Sequence, residues 1–135
     1  MSVWVTAPTE PEIAKVANIQ HLATPIRAQL RSAVPCIDLV GRLHPTPAVG
    51  GEPWPEARSL IAEIEGFDRG WYAGPVGWTD ASGDGEFCVA LRGALLDGEE
   101  ARCFAGVGVV AGSDPAGELA ETELKLQAIL PVVSG

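Results

Sequence analysis

A chain of 135 residues has room for one domain with a core and none for a second. Hydrophobic residues make up 47% and charged residues 20%, a balance that excludes a disordered chain. The formal net charge of −9, from 18 acidic and 9 basic side chains, excludes a long-range field that would gather nucleic acid or an anionic membrane, although an acidic protein can still hold an anion locally.

The first fifteen residues, 1–15, read as a lead-in or linker, with Pro, Thr and Glu concentrated in 6–12. The opening Met1-Ser2-Val3-Trp4-Val5 carries no basic segment ahead of an apolar run, so export is not expected and a cytoplasmic location is. No apolar run reaches the roughly 20 residues of a membrane-spanning helix. Cys36, Cys88 and Cys103 are odd in number and free of CxxC or Cys/His spacing, which predicts reduced thiols rather than disulfides or a zinc site.

From residue 16 onward, Ile19, His21 and Ala23 alternate before Ile26, predicting a half-buried strand broken near Pro25. Cys36, Leu39, Val40 and Leu43 recur at helical spacing until His44-Pro45-Thr46-Pro47 stops them, because proline lacks a donor and restricts the residue before it. A rigid loop through Gly50-Gly51 leads to a second helix, with Pro55 in its first turn and Ala57, Leu60, Ile61 and Ile64 on one stripe. Turn signals at Gly83-Asp84-Gly85 and Asp97-Gly98 then predict a three-stranded antiparallel meander over 71–79, 86–96 and 101–110. Asp114 and Pro115 open a last helix that runs to about residue 130. The order of elements predicts an α+β fold, an antiparallel sheet with packed helices.

On the last helix Glu118, Glu121 and Lys125 fall within an arc of about 60° on one face. Two readings compete there: a solvated charged face with Glu121 paired to Lys125 at i,i+4, or a site for a hard cation, since Mg²⁺ takes a few carboxylate oxygens and keeps its other positions for water or an anionic substrate. Arg92 interrupts an apolar run, as either a solvent-facing strand residue or a clamp on a carboxylate. Gly106 and Gly108 permit close backbone approach, either at a bulge or to a ligand.

Taken together, HPTPAVGG at 44–51, Val76-Gly77-Trp78, Phe104-Ala105-Gly106-Val107-Gly108-Val109-Val110 and Glu118-Leu119-Ala120-Glu121-Thr122 resemble, in order and spacing, the closing third of the chorismate-utilising enzymes. Within that group Ala48 is similar to isochorismate synthases, since the anthranilate, aminodeoxychorismate and salicylate synthases tend to carry a threonine near this position and a phenylalanine-proline start. A salicylate-type enzyme stays as the alternative product class. The resemblance implies a magnesium-dependent isomerase that converts chorismate to isochorismate. It implies Glu121 and Glu118 as Mg²⁺ ligands, and Tyr72, Arg92, Gly106, Lys125, His21 and Thr46 as substrate-binding residues.

The same resemblance implies a larger α/β sandwich, of which these 135 residues are a fragment. Its lysine base, glutamate acid and a further metal-ligating carboxylate come from preceding segments with no counterpart in this sequence, so no catalytic residue is expected here. Unpaired strand edges and exposed apolar surface are then expected, and a separate amino-terminal part of the same enzyme becomes an expected partner alongside chorismate. A non-catalytic binding or interaction module is the other class of function the residues allow. Whether the product would feed a siderophore, menaquinone or salicylate stays open.

Overall fold

The computed structural model describes residues 2–16 and 19–134, and of Val16, Ile19 and His21 the backbone alone. The chain divides into two compact units, Met1–Pro35 and Cys36–Gly135.

The first unit is built from two antiparallel ladders. β1 (Ser2–Thr6) pairs with β4 (Arg27–Leu30), with a register irregularity between Ser2 and Trp4, and β2 (Glu12–Val16) pairs with β3 (Ile19–Ala23). Val3, Trp4, Val5 and Thr6 are β-branched or aromatic, which suits a pleated strand, so the segment 1–15 contributes strands on either side of the Pro/Thr/Glu-rich stretch. The break expected at Pro25 is present and separates β3 from β4.

In the second unit, α1 (Cys36–Leu43) packs on the hairpin of β5 (Pro75–Thr79) and β6 (Gly85–Val89). The Cys36 amide donates to the Gly83 carbonyl at 2.8 Å, and a Cβ on Gly85 would stand 3.2 Å from that of Cys36. The HPTPAVGG segment forms a short α2 (Pro47–Gly50), and α3 (Trp54–Glu65) follows at once. The glycine that ends α2 and the one that follows it are both required. A Cβ on Gly50 would meet the Trp54 ring at 2.9 Å, and Gly51 has φ +80° with its Cβ position 2.6 Å from that of Ala57. Gly66, at φ +66°, ends α3 in the left-handed conformation typical of helix C-termini.

The predicted meander is corrected to two hairpins. The run expected as one strand over 86–96 breaks at Ala90, where a reciprocal pair of backbone bonds, Ala73 to Ala90 at 2.9 Å and Ala90 to Gly74 at 2.8 Å, ties it to the preceding turn. Arg92 then adopts φ +54°, which no strand accommodates, and the chain restarts as β7 (Ala94–Asp97) paired with β8 (Glu100–Cys103). The third predicted strand ends at Cys103, so Gly106 and Gly108 lie in irregular chain. The α+β class holds, as four two-stranded antiparallel ladders with helices among the described residues.

α4 (Pro115–Gln127) and a short α5 (Leu130–Val133) close the chain. Among the described residues only Ala73 and Ile129 are buried apolar side chains, each 7% exposed. The stripe that periodicity assigned to α3 is partly open, with Leu60 at 55% and Ile64 at 71% exposure, and Leu119 of α4 stands at 62%. The expected exposed apolar surface is therefore present among the described residues.

The start of α4 does not depend on tertiary packing. Asp114 accepts a hydrogen bond from the Gly117 amide at 2.9 Å, and Pro115 occupies the first turn. Asp114→Ala is expected to lower stability by about 1 kcal/mol, read as a reduced midpoint in urea unfolding followed by circular dichroism. Asp114→Ser should retain most of it.

Candidate functional site

Helix α4 brings its charged face to the irregular chain after β8. The Lys125 ammonium donates to the Gly106 carbonyl at 3.0 Å and pairs with the Glu121 carboxylate at 2.7 Å. The i,i+4 pair expected of a solvated face is thus real, but the same ammonium also bridges to Gly106, nineteen residues back in sequence. Glu118, half-buried, lies one turn before Glu121, and its carbonyl accepts the Thr122 hydroxyl at 3.0 Å.

Gly106 also meets Tyr72, since a Cβ at position 106 would lie 2.8 Å from the Tyr72 hydroxyl. The Tyr72 ring stacks on Phe104 with centroids 5.3 Å apart and planes 13° apart. Behind it the Arg69 guanidinium lies 6.0 Å from the ring centroid. Arg69 makes a bidentate contact with Glu65 at 2.7 and 2.5 Å and donates to the Val49 carbonyl at 2.8 Å. Tyr72, Gly106, Lys125 and Glu121, four of the residues expected to form the site, therefore stand in one unbroken line of contacts.

The remaining candidates are placed differently. Thr46 is half-buried at the head of α2, where its carbonyl accepts from the Val49 and Gly50 amides, and its side chain makes no capping bond. Arg92 is exposed in the bend between β6 and β7, not mid-strand as the apolar run suggested. His21 has its backbone in β3 opposite Ala14, and its side chain lies outside the described residues. Sequence reasoning missed Arg69, Glu65 and Phe104. The i,i+4 spacing of Glu65 and Arg69 was visible, but the reach to Val49 and Tyr72 depends on tertiary structure.

Beside Tyr72 lies a cavity of about 550 Å³, lined by Leu91, Leu95, Arg102 and Phe104 among others. Apolar walls with a few convergent polar groups are the usual make-up of a small-molecule site. Glu118 and Glu121 offer the hard oxygen donors that Mg²⁺ prefers, and that ion is commonly held by one or two carboxylates with water and substrate oxygens completing its shell. The donor type fits. Among the described residues no group of three or more His, Cys, Asp or Glu side chains is placed to hold a metal.

Burial pushes the Tyr72 phenol above its ordinary value near 10, with the Arg69 charge working against that shift and Glu65 adding to it. Arg69 is held charged by its hydrogen bond to Glu65, with burial opposing. Because the folded state keeps the phenolic proton more tightly than the unfolded state, this group leaves stability unchanged below about pH 10 and subtracts from it as pH rises through the folded value. Thermal midpoints measured from pH 8 to 11.5 should fall more steeply above pH 10 for the natural chain than for Tyr72→Phe.

A family model described as chorismate binding enzyme matches residues 1–134. Isochorismate synthase MenF of Bacillus subtilis is 47% identical over 131 residues, covering 97% of this chain and 28% of the relative. The salicylate biosynthesis isochorismate synthase of Pseudomonas aeruginosa is 50% identical over 127 residues, covering 94% of this chain and 27% of the relative. The crystal structure assigned as a 2,3-dihydroxybenzoate-specific isochorismate synthase, DhbC, from Bacillus anthracis superposes with a TM-score of 0.87 at 37% identity, over 98% of this chain and 36% of that one. The chain thus spans 27–28% of the length of the two curated relatives. With a family model matched from end to end and relatives near half identity across nearly all of its residues, this chain belongs to the chorismate-binding enzymes.

Proposed function

We propose that the chain is the substrate- and metal-holding part of an isochorismate synthase, acting on chorismate with Mg²⁺. One observation carries this reading: the line of contacts from Tyr72 through Gly106 and Lys125 to Glu121, in a chain whose relatives are named isochorismate synthases. Chorismate is a dianion, and a chain of net charge −9 must meet it with local positive charge and hydrogen-bond donors. Lys125 and Arg92 supply the charge, and the Tyr72 hydroxyl supplies a neutral donor that burial keeps protonated.

The reaction adds water at one ring carbon and expels a hydroxyl two carbons away, so it needs a base, an acid and fixed substrate orientation. The residues of this chain serve orientation: Arg92 and Tyr72 bind the enolpyruvyl carboxylate, and Lys125 adds positive charge beside Gly106. Glu121 and Glu118 would hold the metal, which when bound would supply positive charge for an anionic substrate. The base and acid are assigned to a preceding part of the enzyme, which would also cover the apolar faces of α3 and α4. The reading is cytoplasmic, and no described helix is long and apolar enough to cross a membrane.

The chain alone should not turn over chorismate with Mg²⁺. Addition of the separately produced remainder of the Bacillus subtilis relative should restore isochorismate formation, followed by chromatography of the product. Salicylate as the product would move the assignment to the alternative class, and no turnover combined with no calorimetric binding of chorismate would sink the reading in favour of a non-catalytic module.

In the reconstituted enzyme, Glu121→Gln should weaken Mg²⁺ binding, measured by calorimetry, by at least about tenfold, the low end of what losing even an indirect metal partner costs. Arg92→Lys should raise KM for chorismate roughly tenfold, because one charged, bidentate contact is lost. An unchanged KM would remove Arg92 from the substrate site.

A further inference from the structure

We propose that Arg69 is a positioning residue for the chorismate site, bridging Glu65 and the Val49 carbonyl on one side and the Tyr72 ring on the other, so that the Tyr72 hydroxyl is fixed against Gly106. This rests on the reading of Tyr72 and Gly106 as substrate-binding residues.

Three observations carry it. Arg69 is the one side chain whose described bonds join the end of α3, through Glu65, to the HPTPAVGG segment, through Val49. A planar guanidinium can make those contacts together, whereas an ammonium, being a point donor, cannot reproduce the fork. Second, Arg69 and Tyr72 belong to one turn, with the Tyr72 amide donating to the Arg69 carbonyl at 2.9 Å, so the two side chains are anchored by the same piece of backbone.

Third, Tyr72 has little freedom once Arg69 is in place. Phe104 stacks on the ring at 5.3 Å, the guanidinium is 6.0 Å from its centroid, and the hydroxyl end abuts the Gly106 backbone. Removing Arg69 opens one of those sides and releases α3 from Val49 at the same time. The consequence is a phenol that no longer rests over Gly106, next to the carbonyl that Lys125 holds. Arg69 would act through Tyr72, without touching substrate itself.

Tyr72 is the only tyrosine of the chain, so its ionisation can be read directly by ultraviolet difference absorbance at high pH. In Arg69→Met the midpoint should move upward, because the neighbouring cation that favours the phenolate is gone. Arg69→Lys should keep it close to that of the natural chain. An unmoved midpoint together with unchanged near-ultraviolet dichroism of the Tyr72–Phe104 pair in folded Arg69→Met would overturn the proposal. Should Arg69→Met fail to fold, Glu65→Gln decides: it keeps the cation but loosens the bidentate grip, and must change the near-ultraviolet dichroism of the Tyr72–Phe104 pair.

In the reconstituted enzyme, Arg69→Met should raise KM for chorismate about tenfold while kcat stays within about twofold, with partial recovery in Arg69→Lys, the pattern of lost substrate binding. A fall in kcat at constant KM would refute positioning through Tyr72. If the natural chain neither forms an active complex nor binds chorismate, the functional reading fails, and the absorbance titration still judges the Arg69–Tyr72 contact by itself.

Discussion

The two apolar side chains that are buried among the described residues cannot by themselves hold a chain of this length together, and the elements described above depend on how that shortage is met. The helices carry amphipathic stripes of ordinary length, and the strands pair locally in hairpins, so local structure is well specified. What each stripe should pack against is largely absent from the described residues. Among the described residues every strand is paired on one side only, which leaves the backbone groups of its other edge open to a neighbour. Apolar faces and open edges thus occur together, and under the proposed function both would be met by the preceding part of the enzyme.

The residues around Tyr72 are held differently. Their order comes from hydrogen bonds, an ion pair and one ring stack, not from a core. Arg69 joins a helix end to a loop, Tyr72 leans on Phe104, and Lys125 ties α4 to the chain at Gly106. Such contacts are directional and survive without deep burial, although each contributes only modestly when water has access. This suits the proposed role of holding a dianion. The charges are compensated by local partners while the whole molecule remains acidic.

Much of this was legible in the residues themselves. α1 runs over the stretch that its apolar spacing indicated, Asp114 and Pro115 open α4 as their chemistry requires, and the break at Pro25 separates two strands. Glu121 and Lys125 were readable as a pair because i,i+4 spacing is a local property. Other features were not local. The apolar run around Arg92 reads as one strand, because nothing in its composition reveals the cross-links between Ala73, Gly74 and Ala90 that end it. Strand β1 was hidden by its place ahead of a Pro-rich stretch. The role of Arg69 could not be read either, since Val49 is twenty residues away and the approach of Tyr72 to Gly106 spans thirty-four.

The close approach of the Tyr72 hydroxyl to Gly106 couples two positions that no spacing rule connects. A methyl group at 106 would need the space the oxygen holds, so alanine there is compatible with the present backbone only if residue 72 gives up its hydroxyl or swings away from Phe104. Substitutions at the two positions should therefore be non-additive, with phenylalanine at 72 softening the effect of alanine at 106. In a set of diverging relatives the pair would change together or not at all. A phenol at one end of such a contact is thus a constraint on the backbone opposite it, and the absence of a side chain at 106 is as much a part of the site as the side chains that surround it.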